Sequence, residues 1–573
     1  MSLLCLTLLG VSSANAADRY WTTGACVVGG AGSWDNTSAA FSPNSTGGAC
    51  VAWVNTASDA VIFSGANTLS YTVQMTSNKT VNKMTRNGTA AVNLLGSFTV
   101  TFAGTTPTVD TPALASLTMS VNCTGTITKT GSGRITLNNN ASTPKWILQG
   151  GMILAARWDF FGVATGSDYI TFDGGGIGIG FASTHTAGYV ISSNRGIIIK
   201  GGGAFVGMSA ANNIIAFAGP VTDGSGGTGT VGLVVTTTGP TVTSYQAGGT
   251  LILSNTTATA NSYVGPTVAK ELNCVIQLAA ANQIPNASVV QTAGGQFDFN
   301  GFADVVGGLS GASGTITLGS AAVTVSNTTD QSYSGVISGS GNITQKGAAI
   351  QTLAGANTYS GGTAITAGKL KVANATGSAT GTGTVTVNAN GTLMGVGIVG
   401  GAVVVNSQGS IAANTNGSIG ILTNSGSLTL AGGGTNQFDI SDSTGTAGSD
   451  TGWDLIKVGT GVNITATSGS KFNVGLSSKT GTITNFSKLN VQTWKMIDAV
   501  NGLTNFVANK FRVTTNNIAN TDIGTGVFAV EVLDTTNLAV VYRNLPFITA
   551  NPSSANKVVG DTATFTVTAV DDL

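Results

Sequence analysis

The chain has 573 residues, of which 23 are basic and 23 acidic, so its net charge is zero and only 8% of it is charged, against roughly 25% in an average soluble domain. So thin a spread of charge argues against a surface for nucleic acid or for an anionic membrane. Hydrophobic residues nevertheless reach 42%, which excludes the low-hydropathy, high-charge composition of a disordered chain.

From the start, Met1 to Ala16 (residues 1–16) reads as a signal peptide. Leu3 to Val11 is a short apolar run, and Ala14-Asn15-Ala16 supplies the small-residue cleavage pattern. No Lys or Arg precedes the run, as expected of a late start or a fragment. The run is too short to cross a bilayer, and no later stretch of about 18 apolar residues follows, so no membrane-spanning segment is expected. Cys5 leaves with the signal, and Cys26, Cys50, Cys123 and Cys274 then face an oxidising space. Cys26 and Cys50 flank a loop rich in Gly, Ser and Trp, where either a local disulfide or two unpaired buried thiols fits. Residues 17–63 carry Tyr20, Trp21, Trp34, Phe41, Trp53 and Phe63 and read as an aromatic-rich cap.

Residues 64–433 are repetitive. Gly314-Thr315-Ile316-Thr317-Leu318, Gly383-Thr384-Val385-Thr386-Val387, Gly391-Thr392-Leu393 and Gly426-Ser427-Leu428-Thr429-Leu430 share one phrase. Period-two alternation sends the aliphatics to one face and the hydroxyls to the other, and Gly permits the corner. Strands of three to five residues in units of roughly 20 favour stacked coils over hairpin-linked sandwiches. A single coil cannot bury a core, so copies must stack. Some twenty coils about 4.8 Å apart would make a rod on the order of 100 Å long. The expected fold is all-β: a parallel β-helix, or β-solenoid, with capping segments.

Residues 434–545 change texture, with Asp439, Asp442, Asp450 and Asp454 followed by longer strands ending near Leu538 to Tyr542. Residues 546–573 read as two strands joined by Gly560-Asp561, the start of a truncated β-sandwich.

One segment carries a family pattern. Leu353, Gly355, Asn357, Thr358, Tyr359, Gly361, Thr363, Ile365, Gly368 and Leu370 fit Leu-x-Gly-x-Asn-Thr-Tyr-x-Gly-x-Thr-x-Ile-x-x-Gly-x-Leu. This resembles the autotransporter-associated β-strand repeat, also called the passenger-associated transport repeat. A degenerate earlier copy keeps Gly249-Thr250-Leu251-Ile252-Leu253 and Tyr263-Val264-Gly265-Pro266-Thr267. Gly294 to Phe302 with Val306 to Gly311, Tyr333 to Gly341, and Asn194 to Ile197 with Gly201 to Gly203 resemble the phrases around such repeats. The resemblance is densest over 294–372 and extends over about 190–430. The tail from Pro546 looks like the first strands of an immunoglobulin-like domain. The resemblance implies a right-handed β-helix passenger, secreted or held at the cell surface of a Gram-negative-type bacterium. It also implies that the repeats aid export and folding through the envelope machinery. Glycans or other cell-surface molecules are the expected partners.

Catalytic chemistry is hard to find. His185 is the single histidine, which excludes multi-His metal centres, and no G-x-S-x-G elbow accompanies it. Gly174 to Gly180 and Gly201 to Gly203 lack the Lys and following helix of a phosphate cradle and read as coil corners. The alternative function is a β-helix carbohydrate-active enzyme, a polysaccharide lyase or hydrolase, which needs paired carboxylates or Asp-bound calcium. The four aspartates above lie in a Ser/Thr/Gly loop that reads as solvated, so no metal, cofactor or catalytic residue is assigned. Threonine rows such as Thr315-Ile316-Thr317 and Thr384-Val385-Thr386 could meet ice or crystalline carbohydrate only if every coil presented them on one face. Their spacing looks too irregular, and β-propensity explains them more simply. The expectation is a non-enzymatic, structural or adhesive passenger.

Overall fold

The computed structural model describes residues 18–21, 32–34, 41–42, 60–63, 70–89, 91–113, 115–138, 144–155, 168–179, 189–208, 213–224, 232–237, 248–415, 417–516, 518, 526–544, 547–550, 562, 564 and 568–570. Among them, regular structure is almost entirely strand, with one 3-10 turn at Ala508–Lys510. They divide into two compact units, one within Met1–Phe297 and one within Asp298–Leu573. The signal segment, Cys26, Cys50, His185 and the Gly560-Asp561 turn lie outside the described residues.

In the second unit, Asp304–Val306, Ala322–Val325, Asn342–Gln345, Thr363–Ile365, Val385–Val387, Val403–Val405, Leu428–Leu430, Val462–Ile464 and Leu503–Thr504 pair in that order, each parallel to the next. Their registers stack Val306, Val325, Gln345, Ile365, Val387, Val405, Leu430 and Ile464 into one fully buried column. The step between rungs stays at 18 to 22 residues as far as Val405, then grows to 25 and 34. A second parallel ladder runs through Ile350–Leu353, Gly368–Val372, Gly391–Gly395, Ser410–Ala412, Thr435–Ile440, Phe472–Ser478 and Phe511–Asn516. A third joins Ile398–Val399, Ile421–Asn424, Leu455–Val458 and Gln492–Ala499, and it ends in the antiparallel strands Asn537–Arg543 and Val527–Val532. Winding among parallel ladders with an aliphatic interior is a parallel β-helix.

Glycine corners let the coils approach. A methyl added at Gly361 would strike the carbonyl of Gly341, and one at Gly401 would strike that of Gly383. Neither position has a left-handed backbone, so contact between stacked corners, not backbone freedom, demands glycine there.

Outward-facing residues of the first ladder form a row of their own: Thr324, Thr344, Ala364, Thr386, Val404, Thr429, Asn463 and Thr504. Ala364, Val404 and Asn463 interrupt the threonines of this row, and Thr315 and Thr317 belong to a different strand pairing. Loops absorb the variable lengths, while hydrogen-bonded strands keep register.

The first unit repeats the plan. One ladder stacks Val61, Met84, Val109, Lys129, Leu148, Phe172 and Ile199, all buried. At its beginning, Asp18–Trp21 pairs parallel with Ala60–Phe63 and antiparallel with Phe41–Ser42. The buried rings of Trp21 and Trp34 pack on Phe63 at centroid distances of 6.2 and 6.0 Å. Near the C-terminus, Phe547–Ala550 pairs antiparallel with Thr568–Val570.

Candidate functional site

The family-pattern residues form an internal brace. Asn357, buried at a corner, accepts a hydrogen bond from the Ile337 amide through Oδ1 (2.8 Å) and donates from Nδ2 to the Ala379 carbonyl (2.6 Å). Ile337 lies one coil before it and Ala379 one coil after, so one side chain ties three coils. The Thr358 amide adds a bond to the Ile337 carbonyl at 2.8 Å. Two residues on, Tyr359 is fully buried, and its hydroxyl meets Thr363 Oγ1 at 2.6 Å. Burial raises the Tyr359 phenol well above its ordinary range, the Thr363 bond opposing, so the group stays a neutral hydroxyl. Leu353, Ile365 and Leu370 face the core. Gly355 and Gly361 press on the Gly335 and Gly341 carbonyls, and Gly368 turns the corner with φ of +61°.

The copy that looked degenerate has the same geometry. Asn261 Oδ1 accepts from the Val221 amide (2.9 Å) and Nδ2 donates to the Gln283 carbonyl (2.7 Å). The Ser262 amide reaches the Val221 carbonyl at 2.9 Å. Tyr263 Oη meets Thr267 Oγ1 at 2.6 Å, and Ser288 Oγ extends the chain of hydroxyls at 2.9 Å. Sequence reasoning anchored this copy on Tyr263 and missed Asn261; the spacing Asn-x-Tyr-x-x-x-Thr, shared with Asn357, was the available signal.

A second interior polar site also escaped the sequence reading. Lys129, fully buried between Val109 and Leu148, donates to the carbonyls of Thr130 (2.6 Å), Gly131 (2.8 Å) and Gly150 (3.2 Å). Its three protons thus match three acceptors. Burial lowers its pKa from 10.5 to about 7, with the charge of Asp110 opposing. At the matching place of its own coil, between Val325 and Ile365, Gln345 Nε2 donates to Asn327 Oδ1 (2.8 Å), Gly347 O (3.0 Å) and Ala349 O (3.3 Å). Ile-Thr-Lys-x-Gly at 127–131 against Ile-Thr-Gln-x-Gly at 343–347 was the signal.

On the outer surface of the same coils lies a groove of about 550 Å³, lined by Asn342, Ser360, Gly362, Thr382, Thr384 and Thr386 among others. None of its lining residues is charged.

The acidic stretch does not form one cluster. Asp450 is exposed and Asp442 half-buried, with Asp442 bonded to Thr444 and Asn485 and Asp450 paired with Lys479. Asp439 and Asp454 are buried, which corrects the expectation of a solvated loop. Asp439 accepts from Ser477 Oγ and the Gly417 amide (2.8 Å), and Asp454 from the amides of Gly420 (2.9 Å) and Asp439 (3.1 Å). Burial raises both carboxyls, Asp454 to about 8. Each aspartate therefore serves the backbone. Among the described residues no group of His, Cys, Asp and Glu is arranged to hold a metal ion. Cys123 and Cys274 are buried, and burial pushes the Cys274 thiol up to about 11. No helix among the described residues is long and apolar enough to cross a membrane.

Residues 127–154 and 343–372 match the passenger-associated-transport-repeat family. The second segment contains the brace and Gln345, and the first contains Lys129. Over 159 residues, 27% of this chain, the sequence is 34% identical to the adhesin BmaC autotransporter of Brucella suis biovar 1 (strain 1330). That stretch covers 4% of the relative's length, so the chain spans only a small part of the protein it matches.

Proposed function

From a chain that carries autotransporter passenger repeats, as secreted or cell-surface proteins of Gram-negative-type bacteria do, we propose a non-enzymatic passenger region with a structural and adhesive role. Its repeats aid export and folding, and the envelope export machinery is its partner on the way out. The observation that carries this reading is the Asn357 brace, duplicated at Asn261. Each brace bonds the coil before and the coil after, so an emerging coil orders only against a neighbour already folded. Such a chain folds progressively as it leaves the membrane, since stability accrues at coil interfaces. The adhesive role rests on the similarity to an adhesin and on a hydroxyl-rich, nearly uncharged exterior suited to glycans or other cell-surface molecules. A non-catalytic role is supported by the one close pair of carboxylates among the four aspartates: Asp439 and Asp454 are buried and bonded to backbone, out of a substrate's reach. In domain terms, 17–63 is proposed as the N-terminal cap and 434–545 as the C-terminal part of the solenoid. Residues 546–573 are proposed as the opening of an immunoglobulin-like domain.

The test is surface display of the full reading frame with Asn261→Ala and Asn357→Ala, alone and together. Surface-exposed protein should fall in each variant, with intracellular or periplasmic material rising, and adhesion per displayed molecule should hold. Undiminished display of the double variant would overturn the export role. Absence of adhesion by well-displayed wild-type protein would overturn the adhesive one.

A further inference from the structure

We infer that the groove over Asn342–Thr386, with the threonine row beside it, binds an extended, neutral, β-linked polysaccharide. This rests on the adhesive reading and gives it a ligand class. Asn342, Ser360, Thr382, Thr384 and Thr386 line the groove, and their side-chain polar groups make no hydrogen bond to the described protein. The buried amides of the same coils, Asn327, Asn357 and Asn374, are instead committed to backbone partners. Polar groups left free in a concave site fix a ligand's orientation.

The lining also selects the ligand's charge. With no Lys, Arg, Asp or Glu in the groove, an anionic or cationic polymer would surrender hydration without a counter-charge. A neutral, hydroxyl-rich polymer instead exchanges hydrogen bonds with water for equivalent bonds to hydroxyls and an amide.

Direction selects its shape. Asn342, Thr363 with Ala364, and Thr384 with Thr386 belong to three successive parallel rungs, about 4.8 Å apart. Gly361, Gly362 and Gly383 leave the floor free of side chains, and a methyl at Gly361 or Gly383 would collide with the corner below. Beyond the groove, Thr324 and Thr344 continue the row one way, and Thr429 continues it the other way past Val404. A straight chain lying along the stack meets hydroxyl or amide partners on successive rungs, with Ala364 and Val404 as apolar breaks in the row, whereas a coiled α-linked polymer leaves the row. Each contact is weak, and repetition supplies the affinity.

The experiment is retention of the full chain on insoluble cellulose and chitin, with starch granules and alginate gel as controls. Retention is expected on at least one β-linked polymer and on neither control. Ser360→Lys combined with Thr384→Lys should lower the bound fraction tenfold or more, and Thr386→Lys alone should lower it severalfold. Ser360 and Thr384 are exposed and Thr386 is half-exposed on the outward face, so the far-UV spectrum and Tm should not move. Thr392→Lys, on the second ladder, should bind as wild type does. No retention on either β-linked polymer, a preference for alginate or starch, or equal retention of the groove variants would overturn the inference. Cell adhesion is scored in parallel: adhesion without polysaccharide retention would overturn the groove assignment and leave the adhesive passenger standing.

Discussion

Inside the second unit the hydroxyls of Tyr359 and Thr363 meet at 2.6 Å, with both side chains buried. The bond fastens the corner that carries Asn357 to the strand that follows it, so the inter-coil amide bonds are aimed by a covalently nearby clamp. Tyr263 and Thr267 repeat the distance in the first unit.

Removing parts of this brace should give graded losses. Tyr359→Phe strips one hydroxyl bond and should cost about 1 kcal/mol. Asn357→Ala strands the buried Ile337 amide and Ala379 carbonyl and should cost roughly 2–5 kcal/mol. Because coils are coupled mainly to neighbours, the sensitive measurement is amide hydrogen exchange. Protection of the Ile337 amide should collapse in Asn357→Ala and change little in Tyr359→Phe. Equal protection in all three proteins would refute the brace.

Lys129 predicts a pH dependence. Its folded pKa, about 7, lies below the ordinary 10.5, so between those values the unfolded chain holds a proton that the folded chain lacks. Stability should therefore rise as pH climbs from 7 to 10.5 and be flat in this contribution below 7. Lys129→Gln, the side chain that the other matched segment uses at Gln345, should fold and lose that slope. Lys129→Met should leave the Thr130, Gly131 and Gly150 carbonyls unpaired and lower Tm at every pH. Thermal scans of the three proteins from pH 6 to 10 decide it.

Asp454 should act in the opposite sense. Its folded pKa, raised to about 8 by burial, exceeds the ordinary 3.8, so the folded state keeps a proton that the unfolded state releases. Stability from this group is greatest below about pH 4 and declines as pH rises to about 8. Asp454→Asn, which cannot ionise, should flatten the decline. Its amide nitrogen will face one of the Gly420 or Asp439 amides, lowering Tm at acidic pH. A variant with the wild-type slope would assign the pH dependence elsewhere.

Asn436 predicts a gain. Its side chain is buried in an inward column between Ile411 and Val474, and neither Oδ1 nor Nδ2 has a hydrogen-bond partner among the described residues. Asn436→Val removes two desolvated polar atoms and should stabilise by roughly 1–3 kcal/mol, read as a higher denaturation midpoint at unchanged slope. A lower midpoint would mean that the amide is satisfied in solution.

Much of this design is legible in the chain. Alternating Val, Ile and Leu with Thr fixes which side chains seek the interior, and phrases such as Gly383-Thr384-Val385-Thr386-Val387 give strand, corner and approximate coil length. Ten residues from Leu353 to Leu370 identify the repeat. Other features stay hidden because composition misleads at single positions. Lys129 reads as a solvated cation, yet it sits in an aliphatic column, since the turn after it presents three carbonyls to one ammonium. Asp439 and Asp454, fifteen residues apart in a polar loop, look exposed until the amides of Gly417 and Gly420 come to rest on them.

Local pattern alone therefore determined that this protein is a stack of short parallel strands: period-two alternation and glycine corners are properties of a few adjacent residues. Which residues become neighbours across coils was decided only by tertiary structure. Rung-to-rung steps vary from 18 to 34 residues along the Val306–Ile464 column, and no fixed spacing in the chain encodes them. Backbone hydrogen bonding between rungs sets the register and pushes the excess length into loops, and that is what lines up Thr324, Thr344, Thr386 and Thr429 on one face and places Asn357 between the coils it joins.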